Sequence, residues 1–276
     1  MKRFVFALLL SLPGLNGHAE VEGVKQIVLL GDSTTIGSIP RAIRPEGPHL
    51  EDVIRTQLAI QKDLPACRVI NLGEDGETLR RLLDEGRYEK AVAPLQGVDY
   101  IFIRYGLNDL NKRENFFENF PKDFHELIAR LRKDHPQAKI IPMTLIPYLP
   151  DEEKAEQINA LIKQVAAEEK VDVFDIYSAT NAEWKKDPHM MTYRRLPLDK
   201  IPEGYREFVK HFVFRDQMIV VMDNELDAIF GDVPGWHDDK HPNFAYYQLI
   251  GRETAKYLEP LLRASKKRYE HSSPSL

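Results

Sequence analysis

Residues 26–35 read Gln-Ile-Val-Leu-Leu-Gly-Asp-Ser-Thr-Thr, and the chain is organised around them. The apolar run Ile27–Leu30 stops abruptly at Gly31-Asp32-Ser33. That pattern predicts a buried strand delivering a serine onto a turn at its carboxyl end. In open α/β sheets, ligands bind in the crevice outside those ends. A serine there is placed to react if a histidine, an acid and an oxyanion hole can reach it.

The chain beyond Thr35 repeats a strand–helix rhythm. Arg41–His49 reads as loop, with Pro45 and Gly47-Pro48 as breakers. Strands are predicted at Cys67–Leu72, Val98–Tyr105, Ala138–Leu145 and Val171–Ile176. Apolar spacing predicts helices over Leu50–Gln61, from Thr78 onward, through Phe124, Leu127, Ile128 and Leu131 to Lys133, and over Glu152–Glu169 behind an Asp151 cap. A last helix begins near Asn243 and fades at Ser265, leaving a polar tail over 265–276. Strands alternating with helices imply a parallel sheet covered on both faces. The expected fold class is therefore α/β, a three-layer, flavodoxin-like arrangement around five parallel strands.

The amino terminus stands apart. Met1-Lys2-Arg3 is cationic, Phe4–Leu12 is an apolar run with a single serine, and Gly17-His18-Ala19 offers small residues where a signal peptidase reads. The run is too short to span a bilayer, so residues 1–19 read as a cleaved secretory signal. Secretion or a periplasmic location follows, with no stable membrane insertion after cleavage. Cleavage would take the net charge from −5 to −7 by removing Lys2 and Arg3. An acidic chain without a basic tract is not built for nucleic acid. Cys67 is the only cysteine, which excludes an internal disulfide and a cysteine-based zinc site.

One stretch breaks the rhythm. Tyr177–His237 lies between the fifth strand and the last helix, and its apolar content argues against disorder. A connection this long is usually functional. It reads as an insertion of about residues 177–237, helical from Gly204 to Phe230, within one domain spanning 20–264.

Polar groups then collect at the predicted strand ends: Ser33, Gly73 with Glu74, and Asn108 with Asp109. A fourth set is Trp236-His-Asp-Asp-Lys-His-Pro-Asn243, just before the last helix. Asp238 and His241 are three apart there, so the carboxylate can hold one ring nitrogen while the other faces Ser33. Asp239 competes with Asp238 for that role. The N–H groups of Ser33 and Gly73, with the Asn108 amide, supply candidate oxyanion donors. Asp32 and Asp109 read as loop-holding residues. His237, Asp238, Asp239 and His241 could also be a metal cluster, but nothing else completes a ligand set, and neither metal nor cofactor is expected. His125 and His135 are expected to face solvent.

These blocks, Gly31-Asp-Ser-Thr-Thr, Asn71-Leu-Gly-Glu-Asp-Gly-Glu-Thr78, Gly106-Leu-Asn-Asp and Asp238-Asp-Lys-His241, resemble the four blocks of the SGNH/GDSL hydrolases, in the family's order. The resemblance covers Lys25–Leu262 apart from the insertion. It implies Ser33 as nucleophile, His241 as general base, Asp238 as its orienting acid, and Gly73 and Asn108 as oxyanion donors. It also implies a carbohydrate O-acetylesterase, since exported members often remove acetyl groups from carbohydrates. The expected partner is a small-molecule or oligosaccharide ester, and the sequence sets no oligomeric state. A lysophospholipase or thioesterase is the alternative within the same chemistry. A carbohydrate-binding protein without turnover is the rival from another class, which every expected catalytic group being present disfavours. Trp236, Arg194 and Arg195 are candidates for substrate contact, against readings as a core indole and a solvated charge pair.

Overall fold

A computed structural model describes residues 23–147, 152–186, 191–215, 217–223 and 226–272, with backbone alone for 227, 238–240 and 266–272. The signal reading of residues 1–19 and the Asp151 cap lie outside the described residues.

In chain order the first layerings are β1 (Lys25–Gly31), α1 (Ser33–Ile36), α2 (Ser38–Ile43), α3 (Leu50–Ile60), β2 (Cys67–Asn71), α4 (Leu79–Asp84) and β3 (Val98–Arg104). There follow α5 (Leu107–Lys112), α6 (Phe116–Asp134), β4 (Lys139–Pro142), α7 (Glu152–Glu168) and α8 (Ile176–Trp184). Strands β1 to β4 form a parallel sheet in the order β2-β1-β3-β4. Strand alternation explains the two cores. Val28 and Leu30 of β1 pack with Leu79, Phe124, Ile128 and Ile158 on one face. Ile27 and Leu29 pack with Ile54, Trp184, Ile250 and Leu258 on the other. Both faces are covered, which is why these strands read as continuous apolar runs.

The expected fifth strand is a correction. At Val171–Ile176 the sheet gains one parallel bridge, Met143 with Phe174, and no strand forms there. The Asp175 carboxylate already accepts the Ser178 N–H as the cap of α8, so the chain turns into a helix at once.

The insertion is a second correction. It contains β5 (Thr192–Pro197), β6 (Val213–Phe214), β7 (Met218–Val221) and the short α9 (Asp227–Phe230), with 3-10 turns where a longer helix was expected. The histidine-bearing segment is itself a strand, β8 (His237–Pro242), followed by α10 (Phe244–Ser272). Together these strands form an antiparallel sheet in the order β6-β7-β5-β8. Met218-Ile-Val-Val221 makes the physical reason plain. Ile219 and Val221 pack with Leu196, Ile201, Val209 and Phe230, whereas Val220 packs with Tyr193 and Met222. That is a period of two, buried on both sides. Helix α10 continues seven residues past Ser265, where the sequence reading has it fade.

Candidate active site

Gly31 closes β1, and Ser33 opens α1 directly beyond it. A side chain at Gly31 would overlap Thr35 Oγ1 at 2.2 Å, so only glycine lets the strand turn this tightly. Asp32 caps the turn: its Oδ1 accepts the Thr34 N–H at 2.9 Å and the Thr34 hydroxyl at 2.8 Å. Ser33 is left half-buried, with its Oγ 2.8 Å from His241 Nε2. With the Nδ1 tautomer protonated, Nε2 can accept the hydroxyl proton.

His241 reaches that point because the second sheet carries it there. Arg194 pairs with Asp238 and Thr192 with Pro242, so β8 advances by four residues while β5 advances by two. The extra residues bulge the strand at His241, a device that re-aims side chains. The ring stacks on Tyr193 with centroids 5.9 Å apart and planes 16° apart. Beyond it, Asn243 donates its N–H to the Met191 carbonyl at 3.0 Å and accepts the Tyr246 N–H at the start of α10. Asp238 sits in the same strand, with only its backbone described.

Gly73 lies two residues beyond β2, against the serine turn. A Cβ there would lie 2.6 Å from Ile36 N, so its glycine is required by close packing. Its N–H donates to Asn71 Oδ1 at 3.0 Å, an arrangement that an oxyanion would have to share or replace. Asn108, in α5, donates one amide hydrogen to Asp32 Oδ2 at 3.3 Å, and the amide has a second. Asp32 therefore orients both the Ser33 turn and the Asn108 amide, beyond the loop-holding role read from sequence.

The three substrate candidates divide. The Arg194 guanidinium lies 4.6 Å over the Trp236 ring, and Trp236 Nε1 donates to the Phe230 carbonyl. Both belong to the Leu196 side of the second sheet, whereas Tyr193, beneath His241, faces the other way. Arg195 alternates onto the Tyr193 side. Sequence reasoning missed Tyr193 and Arg104. A lone cation in the apolar strand Val98–Tyr105 was the available signal for Arg104; Thr192–Pro197, with two adjacent arginines, carries no alternation that marks Tyr193. His135 is a further correction: it is buried, with Nε2 3.0 Å from the Val92 carbonyl, whereas His125 pairs with Glu168 and Glu169.

Asp109 carries a consequence for stability. It is fully buried, its Oδ1 accepts the Leu79 N–H at 2.8 Å, and burial pushes its carboxyl up to about 7. The Leu79 N–H opposes that rise and the Asp32 charge adds to it. Between about pH 4 and 7 the unfolded chain has lost this proton and the folded chain keeps it, so stability falls as pH rises. The slope is about 1.4 kcal/mol per pH unit, which gives a few kcal/mol across the window. Asp109→Asn is expected to remove that slope, so its stability relative to wild type rises from pH 5 to pH 8 in urea unfolding. Parallel profiles would contradict it.

A doubly covered parallel sheet, with a serine and histidine meeting at its strand ends, is the architecture of the SGNH hydrolases. Residues 29–196 match the model of the GDSL-like Lipase/Acylhydrolase family. The chain belongs to that family, and it is a hydrolase of ester bonds. The matched segment contains Ser33, Gly73 and Asn108, and it ends before His241. Among solved structures, the chain is similar to Axe2, an acetylxylan esterase from Geobacillus stearothermophilus. The two are 20% identical over 85% of this chain and 94% of that one, with a TM-score of 0.52. LAE5, an alpha/beta hydrolase enzyme from the metagenome of Lake Arreo, Spain, is 18% identical over 84% and 94%, with a TM-score of 0.54. Likeness at this identity is likeness of fold. No curated protein sequence matches the chain.

Proposed function

We propose that the protein is an exported serine esterase that removes acetyl groups from a carbohydrate. The observation that carries the reaction is the 2.8 Å approach of Ser33 Oγ to His241 Nε2 at the end of β1. Ser33 Oγ attacks the ester carbonyl carbon while His241 takes its proton. The carbonyl oxygen becomes an oxyanion facing the Ser33 N–H and the Asn108 amide, with Gly73 as a further donor. Collapse expels the alcohol, which receives the proton from His241, and leaves Ser33 acylated. Water, deprotonated by His241, then releases the acid and restores the serine. Asp238 holds the imidazole in the required tautomer, and no cofactor takes part.

Acetyl and carbohydrate specificity draw support from the resemblance to an acetylxylan esterase fold and from the signal-like sequence of residues 1–19. Wild-type protein is expected to react with a fluorophosphonate probe at Ser33 and to release acetate from acetylated xylo-oligosaccharides. It is expected to prefer p-nitrophenyl acetate to the octanoate by about tenfold or more in kcat/KM. A folded wild type that the probe does not label would defeat the serine chemistry.

One observation favours a second reading. Tyr205, Phe208 and Ile229 of the insertion are each about half exposed, at 47%, 50% and 46%. Tyr205 packs on Phe230, the neighbour of Ile229, which makes an apolar surface suited to an acyl chain or lipid. A preference for the octanoate would move the assignment to a lysophospholipase or thioesterase.

A further inference from the structure

We infer that Arg104 is a positioning residue for Ser33, acting from behind through Thr34 and Thr35. The inference rests on Ser33 being the nucleophile.

Arg104 is the last residue of β3 and pairs with Gly31 across the sheet. Only 2% of it is exposed. Its Nη2 donates to the Thr34 carbonyl at 2.7 Å and to Thr35 Oγ1 at 3.1 Å. Helix α1 is four residues long, and such a turn cannot satisfy its own final carbonyls. The Ser33 carbonyl accepts the Gly37 N–H, and Arg104 meets the next one. Thr34 is then fixed at every polar atom: its N–H and hydroxyl by Asp32, its carbonyl by Arg104. The Ser33–Thr34 peptide cannot rotate without breaking one of these bonds, so the serine N–H and side chain leave the backbone in one direction.

The arrangement is costly, which argues that it is more than packing. Nε and Nη1 of Arg104 are buried with no hydrogen-bond partner, and burial lowers the guanidinium's affinity for its proton. An arginine stays charged at any working pH. Asp32 supplies the compensating field, although its own oxygens serve Thr34 and Asn108. An apolar side chain would suit this surrounding of Leu29, Phe102, Met143 and Ile250 better, because a buried charge is rarely the cheapest way to fill a core. The adjoining cavity, about 10 Å³, is roughly the room one water needs.

The experiment compares wild type with Arg104→Met, Arg104→Lys and Thr35→Val. Each is titrated with a fluorophosphonate for its active fraction, then assayed on p-nitrophenyl acetate. Arg104→Met is expected to lower kcat and the labelling rate about 100-fold, the cost of an ångström-scale misplacement, with KM within about twofold of wild type. Arg104→Lys keeps a donor and recovers part of the loss, while Thr35→Val loses several-fold in kcat alone. A residue that merely stabilised the core would lower the melting temperature and leave kcat per active site unchanged. Should Arg104→Met fail to fold, the other two decide, and wild-type kcat in both overturns the inference. Failure of the underlying reading is separately visible, as a wild type that is not labelled at Ser33.

Discussion

Replacing His241 with glutamine is expected to cost about four orders of magnitude or more in kcat on an acetyl ester, with KM little changed. The serine hydroxyl is a weak nucleophile at neutral pH, and in the proposed reaction its proton leaves through the 2.8 Å contact to His241 Nε2. Glutamine is of similar size but cannot carry that proton away. The loss therefore falls on the transition state and spares ground-state binding, which is why kcat and kcat/KM should drop together. Circular dichroism and thermal unfolding would show the fold retained, because the cores on both faces of the parallel sheet do not include His241. A variant that keeps even a tenth of wild-type turnover would remove His241 from the reaction. The same assay separates the two acids: Asp238→Asn is expected to lose about ten-thousand-fold, as when a base is left in the wrong tautomer, while Asp239→Asn stays near wild type. The reverse order would transfer the role.

The parallel sheet was legible because its strands are buried on both faces and its helices carry a 3.6-residue period, as Phe120, Phe124, Leu127 and Leu131 do in α6. The placement of Ser33, Gly73 and Asn108 was legible for a related reason: each stands where an apolar run breaks, and parallel strands bring such breaks to one edge. Legibility failed where the determining contact is remote in sequence. Val171–Ile176 failed for a local reason instead: it carries strand-like residues, yet its own Asp175 caps α8 and ends the extended run there. Met218–Val221 is too short to announce its period, and its strand exists only because β5 and β6 lie beside it. His241 was singled out by its neighbours Asp238 and Pro242, but the tyrosine beneath its ring is 48 positions away and belongs to the segment read as an insertion.

That placement changes what removal of the insertion should do. Were the insertion a lid or specificity element, deleting Lys185–Gly231 would shift substrate preference while Ser33 still reacted; were it part of the core, the deletion would not fold. The second sheet argues otherwise. The deletion takes away β5, whose backbone pairs with β8, and Tyr193, on which the His241 ring lies. Left without a partner, β8 has no ladder to hold its bulge, and the imidazole loses the 2.8 Å contact with Ser33 Oγ. The deletion variant is expected to lose about as much activity as His241→Gln, about ten-thousand-fold, and to react correspondingly slowly with a fluorophosphonate. Adding His241→Gln to the deletion should then cost almost nothing further, because both changes remove one base from one reaction. Additive losses would mean that the insertion contributes separately, through the substrate. Tyr193→Ala supplies the gentler version should the deletion not fold: it keeps both sheets and removes only the bed of the ring. An ångström of misplacement there is expected to lower kcat about 100-fold. If Tyr193→Ala leaves kcat intact and alters only the preference among esters, the insertion is a specificity element, and the second sheet holds its histidine by other means.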